Sequence, residues 1–136
     1  PHGAERRQSM TGPGDDRKRR GHHIEAQVAD ALATQGLRVL ERNFVAKGGE
    51  IDILGMDGDT LVVIEVRSRR PGGVLPRETV NRHKRRRIVH AARSYLLQEG
   101  FEDAPVRFDV VEVIFEPGEG TGRVTWIKDA FDLDDT

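Results

Sequence analysis

The chain has 136 residues, a length that one hydrophobic core commonly serves, and with 36% hydrophobic and 33% charged residues it is polar on average yet able to build a compact interior. Its formal charge is −1 and it contains no cysteine, which excludes disulfides and thiolate metal sites and leaves oxygen and imidazole donors, a set suited to a hard cation. No apolar run reaches the roughly eighteen residues a spanning helix needs and no secretory leader pattern occurs, so neither membrane spanning nor export is expected and the cytoplasm is the default location.

The near-neutral total hides a separation of charge. Arg17, Lys18, Arg19 and Arg20 open the folded region, and Arg67, Arg69, Arg70, Arg77, Arg82, Lys84, Arg85, Arg86 and Arg87 crowd the middle, opposed between 67 and 87 only by Glu78. Acids gather from Glu102 onward and end in Asp129, Asp132, Asp134 and Asp135. The middle segment therefore suits contact with a polyanion, and the acidic tail is expected to face away from it.

Residues 1 to 15 lack apolar periodicity and read as a disordered or expression-derived segment, which leaves one folded domain over 16–136 with an acidic tail. Ile24, Val28, Ala31, Leu32 and Gln35 recur at helical spacing and predict a helix over about 16–35, capped at Asp15 or Asp16 and stopped by Gly36. Glu25 flanks its apolar stripe, where a solvated acid would sit more comfortably on the far side. Three β-rich runs follow over about 37–45, 50–55 and 60–68, separated by Gly48-Gly49 and by Asp57-Gly58-Asp59, the second separator being a hairpin signal. A Pro/Gly loop over 70–76 leads to Val80, Ile88, Val89, Ala92, Tyr95 and Leu96, an amphipathic helix with a strongly basic polar face that ends before Gly100. Runs over 106–115 and 123–128 read as two last strands, giving the order αβββαββ with no internal repeat.

Side chains two apart on a strand share a face of the sheet, so Glu65 and Arg67 lie together, and a hairpin pairing brings Asp52 of the preceding strand toward Glu65. Two carboxylates that close raise each other's pKa unless a cation lies between them. Asp52, Glu65, a backbone carbonyl such as that of Val66 and water make an oxygen-only set for Mg²⁺ or Mn²⁺, ions that also bind phosphate oxygens. Such an ion polarises a phosphodiester and activates water, and Arg67 could stabilise the charge that develops. The plainer reading of Asp52 and Glu65 is a half-exposed sheet face with alternating polar residues, and that of Glu25 an acid paired with Arg or Lys one helical turn away.

The stretch GHHIEAQVADALATQGLRVLERNFVAKGGEIDILGMDGDTLVVIEVRSR, with the basic helix and RFDVV at 107–111, closely resembles the YraN family of bacterial proteins from about Gly21 to Val113. That family is similar to archaeal Holliday-junction resolvases and to the restriction-endonuclease-like nucleases, whose signature is an Asp followed by Glu-x-Lys on adjoining strands. The resemblance implies an α/β, restriction-endonuclease-like three-layer fold with a central mixed β-sheet flanked by helices. It also implies a metal-dependent DNA endonuclease, with branched DNA among the substrates it suggests, with Glu25, Asp52 and Glu65 as its acids and, by analogy with junction-cutting relatives, a homodimer. The departure is Arg67 where the signature has lysine, because arginine stays protonated and cannot serve as a base. Lys84 in the second helix and Lys47 before the GEID stretch are the candidate relocated amines.

Arg69, Arg82, Lys84, Arg85 and Arg86 are the expected contacts to DNA phosphates, since the basic helix carries more charge than pairing within a helix requires. Asp109 lies in an apolar strand and is expected to pair locally, His22 and His23 to sit on the surface, and Phe108 and Trp126 to be core residues rather than base-stacking platforms. The rival to a nuclease is a binding module that keeps the fold and basic surface without turnover, and a protein-interaction role for the acidic tail ranks after both.

Overall fold

In the computed structural model, which describes residues 13–69, 81–100, 103–115 and 122–131, the elements are α1 (Pro13–Thr34), β1 (Arg38–Ala46), β2 (Gly49–Asp57), β3 (Thr60–Arg69), α2 (Arg82–Glu99), β4 (Val106–Ile114) and β5 (Arg123–Phe131). The order is the expected αβββαββ. Helix α1 begins earlier than its apolar stripe suggested, at Pro13. Proline suits a first helical position because its missing N–H would lack a partner there anyway, so neither Asp15 nor Asp16 is the cap. Helix α2 starts where Asn81 accepts the Lys84 N–H on its side-chain oxygen at 2.9 Å. Val80 lies outside the described residues.

The five strands form one mixed sheet in the order β1-β2-β3-β4-β5. All neighbours are antiparallel except β3 and β4, which run parallel because α2 makes the crossover between them. Each helix covers one face. Val28, Ala29 and Leu32 of α1 pack with Ile53, Val62, Ile64, Val111 and Val113, whereas Ile88, Val89, Ala92 and Tyr95 of α2 pack with Leu54, Leu61, Val63, Phe108 and Val110. Strand β3 sends Leu61 and Val63 to one core and Val62 and Ile64 to the other, which is why its middle reads as a continuous apolar run. Among the described residues no helix is long and apolar enough to cross a membrane.

Two features open the sheet at one end. The β2–β3 hairpin closes through Gly58-Asp59, with Gly58 at φ 62° and Asp57 paired to Thr60, and its ladder runs only as far as Ile53 opposite Ile64. Beyond that pair, β2 continues against β1 to Gly49 while β3 continues against β4 to Arg69, so the two central strands part as a fork. Ile51 and Ile53 join opposite cores although they are two residues apart, so β2 turns over at Asp52. Gly49 holds the outer arm of the fork against α2, because a Cβ there would overlap the carbonyl of Arg87.

One strand over from the fork, where Asp109 of β4 pairs with Ile64 of β3, the sheet is locked instead. Asp109, fully buried in β4, accepts hydrogen bonds from Arg107 Nε at 2.9 Å, Trp126 Nε1 at 2.7 Å and the Asp129 N–H at 2.8 Å. Arg107 Nη1 also binds Asp57 at 2.9 Å, which ties the β2–β3 turn to β4. This network sits at the register shift between Phe108 and Val110 and carries β5 through Asp129, at φ 55°, to Phe131, three residues beyond the strand end read from the sequence.

Candidate functional site

Where the central ladder ends, the Val66 N–H that could have continued it donates to Asp52 Oδ2 at 2.8 Å. The Asp52 carboxyl also hydrogen-bonds the side chains of Glu65 and Glu25. Glu25 arrives from α1, where it also hydrogen-bonds Asn43 of β1, a residue at φ 56° in the left-handed region that asparagine tolerates better than most. Its Oε1 is buried with no hydrogen-bond partner. Glu65 is 6% exposed and forms an ion pair with Lys84 of α2, while Arg67 Nη1 stands 3.6 Å from the same carboxylate oxygen. Both helices and three strands thus converge on the fork.

The carboxylates oppose one another. Burial first, relieved in part by hydrogen bonds from Glu65 and the Val66 N–H, leaves Asp52 pushed up to about 6. Burial and then the charge of Asp52 push Glu65 up to about 7, against the pull of Lys84 in the other direction. Glu25 is raised by burial and by the charges of Glu50 and Glu65. An acid whose pKa rises on folding holds its proton more tightly in the folded state, so ionising it opposes folding. That opposition is absent near pH 4, grows as pH climbs through the window from the unfolded values to about 7, and is complete above it. The metal-free protein should therefore gain thermal stability when pH drops from 8 to 5. Glu65→Gln should stabilise it at pH 8 by about 1–2 kcal/mol, with the gain fading by about pH 4.5. Calorimetry of both proteins across this range checks it, and a loss of stability in the glutamine variant at pH 8 would contradict the electrostatics.

Among the described residues no group of three or more His, Asp or Glu side chains is set out as a ready metal cage. The acids crowd one another instead, and Lys84 rests on one of them. Their chemistry nevertheless fits a hard divalent cation. The donors are all oxygen, they are desolvated and mutually repelling, and Glu25 Oε1 has a free lone pair buried at the junction.

Glu25, Asp52, Glu65, Arg67 and Lys84 are brought together, and Val66 enters through its N–H. Of the two candidate amines, Lys84 reaches Glu65, whereas Lys47 is exposed in the β1–β2 turn. Arg82 and Arg86 are exposed on α2, and Arg85 is half-buried with Cζ 5.5 Å above the Phe131 ring. The side chains of Arg69 and His22 lie outside the described residues, and His23 is exposed. Sequence reasoning missed Asn43 and Glu50, whose only signal was a polar side chain within a β-rich run. Strand β5 ends at Phe131 beneath Arg85, and the acidic end expected to face away from the basic helix begins just after it. Residues 132–136 lie outside the described residues.

A family model for the uncharacterised protein family UPF0102 matches residues 24–113, the span that carries Glu25, the fork, α2 and Asp109. A UPF0102 protein of Chromohalobacter salexigens is 46% identical over 124 residues, covering 90% of this chain and 98% of the relative. One from Anaeromyxobacter dehalogenans is 44% identical over 124 residues, covering 90% and 91%. A third, from Pseudomonas aeruginosa, is 40% identical over 117 residues, covering 83% and 92%. Because these likenesses run through every element that builds the fork and almost the whole length of each relative, the chain belongs to UPF0102, the family of YraN-like proteins.

Proposed function

We propose that this protein is a metal-dependent nuclease that hydrolyses phosphodiester bonds in DNA in the cytoplasm, with its centre at the fork of the sheet. The observation that carries the reading is the cost of the site to the fold. Asp52 and Glu65 are held desolvated against each other with pKa values pushed up to about 6 and about 7, an arrangement that weakens the folded state at neutral pH. Structural carboxylates are arranged the other way, as Asp109 is, with a donor for each oxygen. Perturbed acids crowded at an opening beside a basic helix are characteristic of a site retained for chemistry.

Asp52 and Glu65 would hold Mg²⁺ or Mn²⁺, with Glu25 adding its free oxygen and the Val66 backbone lying alongside. When bound, such an ion supplies polarisation of the phosphate and a water of lowered pKa. Glu65 would orient Lys84, whose ammonium would place its charge at the reacting group, and Arg67 would hold a phosphate oxygen through a charge it cannot lose. The element order and the Asp52–Glu65 placement support the relation to restriction-endonuclease-like enzymes that the sequence resemblance implies. The signature lysine is supplied in this reading from α2 instead of β3. The exposed arginines of α2 would bind DNA through phosphates, with little sequence preference and a steep salt dependence, and a homodimer would present two centres to two strands.

The test is cleavage of labelled linear, flapped and four-way-junction DNA with Mg²⁺ or Mn²⁺, beside an Asp52→Ala, Glu65→Ala double variant. Cutting is expected from the native chain alone, with the double variant folded and at least as stable at pH 8. The second reading, a non-catalytic binding module, draws on the lack of a preassembled three-ligand cage among the described residues. Salt-sensitive DNA binding by both proteins with cutting by neither would favour it.

A further inference from the structure

Arg107 and Arg85 are both half-buried, and the fold treats them differently. Arg107 spends Nε, Nη1 and Nη2 on Asp109 and Asp57. Arg85 has Cζ 5.5 Å over the Phe131 ring, while its Nε is buried with no hydrogen-bond partner. A buried N–H without an acceptor destabilises a fold, so a guanidinium seated on a ring with its Nε unanswered is a feature in need of a ligand. The seat is rigid. Phe131 is 5% exposed and stacks on Phe108 with ring centroids 5.1 Å apart and an interplanar angle of 19°.

The location narrows the ligand. Phe131 pairs with Phe108 on β4, and Glu65 pairs with Val110 two residues further along that strand, so the seat and the carboxylate centre share one face of the sheet. They are offset by about 7 Å along the strands and, with β4 between them, by two strand spacings of about 4.8 Å across the sheet. Arg85 follows Lys84 on α2, and Lys84 rests on Glu65. Arg82 and Arg86, both exposed, stand on either side in the sequence. A chain of negative charges crossing the carboxylate centre would next meet Arg85.

We propose that Arg85, seated on Phe131, is a phosphate anchor that grips the nucleic-acid backbone beside the phosphate at the carboxylate centre, so that the substrate is a strand extending past the reacting bond rather than an isolated diester. This rests on the nuclease reading for the position of the reacting bond, but not for the anchor itself. A planar fork held flat by stacking presents fixed donors to a phosphate, which an ammonium on a flexible stem cannot reproduce. The other acceptor within sequence reach is the chain's own Asp132, Asp134 and Asp135. The phosphate backbone is favoured because the cations continue along α2 on either side of the seat.

The experiment follows the Arg85 side-chain Nε–Hε resonance of the full chain, without metal, as an eight-residue oligothymidylate is added, with Arg85→Lys assigning the signal. The resonance should move to a saturating limit, Arg85→Lys should weaken binding about tenfold, and Arg93→Lys, at an exposed position of the same helix, should change it less than twofold. An unmoved resonance, no binding, or equal effects of the two substitutions would overturn the proposal. So would a resonance displaced in the free protein that relaxes when Asp132, Asp134 and Asp135 become Asn, since the chain's own acids would then own the seat. With Mg²⁺, Arg85→Lys should raise KM for oligonucleotide cleavage about tenfold and act several-fold less on bis(p-nitrophenyl) phosphate, which is too short to reach the anchor. A native chain that binds through Arg85 but cuts neither substrate would retire the nuclease reading and keep the anchor.

Discussion

Lys84→Ala should lower metal-dependent DNA cleavage by about 10²–10³-fold, the usual scale for losing a positioned proton acceptor or a charge aimed at the reacting group. Arg67→Lys should change it less than about threefold. The asymmetry follows from position and chemistry. Lys84 makes the ion pair with the 6% exposed Glu65, while Arg67 stands 3.6 Å away with a guanidinium that cannot give up its proton. Lys84→Arg separates the two roles of the amine, since it keeps the charge and removes the base. A rate near that of the alanine variant points to proton transfer, and a rate near native to charge alone. Single-turnover rates at saturating DNA, with thermal midpoints as a folding control, read the comparison. The Lys84 side chain is 35% exposed but its partner Glu65 only 6%, so removing the lysine should cost about 1–2 kcal/mol at pH 8 and less at pH 5, where Glu65 carries its proton. A neutral Lys84→Ala beside an Arg67→Lys that gains more than tenfold would mean that the amine belongs on β3 and that the native centre has decayed.

The acids of the centre were legible because their positions follow from local rules. A period of two and a Gly-containing turn fix the hairpin register closely enough to bring Asp52 to Glu65, and the misplaced acid beside a helical stripe marks Glu25. The fork was not legible. Nothing in alternation says where two paired strands part, and Ile51 and Ile53 keep the period in sequence while their side chains enter opposite cores. Lys84 was readable as a residue of the basic face, but which strand that face covers is decided by the crossover between β3 and β4. The end of β5 escaped for a similar reason, because a bulge stabilised by a side chain twenty residues earlier carries the strand past Asp129.

That side chain supplies the largest expected stability effect in the chain. Asp109→Ala should destabilise the fold by about 3–5 kcal/mol, the range found when one partner is removed from a buried ionic network, and a large share of the roughly 5–15 kcal/mol that holds a domain together. The substitution leaves Arg107 Nε, Trp126 Nε1 and the Asp129 N–H without their acceptor and frees the register shift that they fix. Asp109→Asn should lose less, because its one oxygen can still serve some of these donors while its amide opposes the rest. Denaturant unfolding measures both, and a loss under about 1 kcal/mol for the alanine variant would show that the network contributes little. The same titration on Glu65→Gln should move the other way at pH 8. Both acids are buried and both face an arginine or lysine, but one has every oxygen answered by a donor and the other is forced against a second carboxylate. Opposite signs from two buried carboxylates on neighbouring strands would separate the acid that serves the fold from the acid the fold sustains at its own expense.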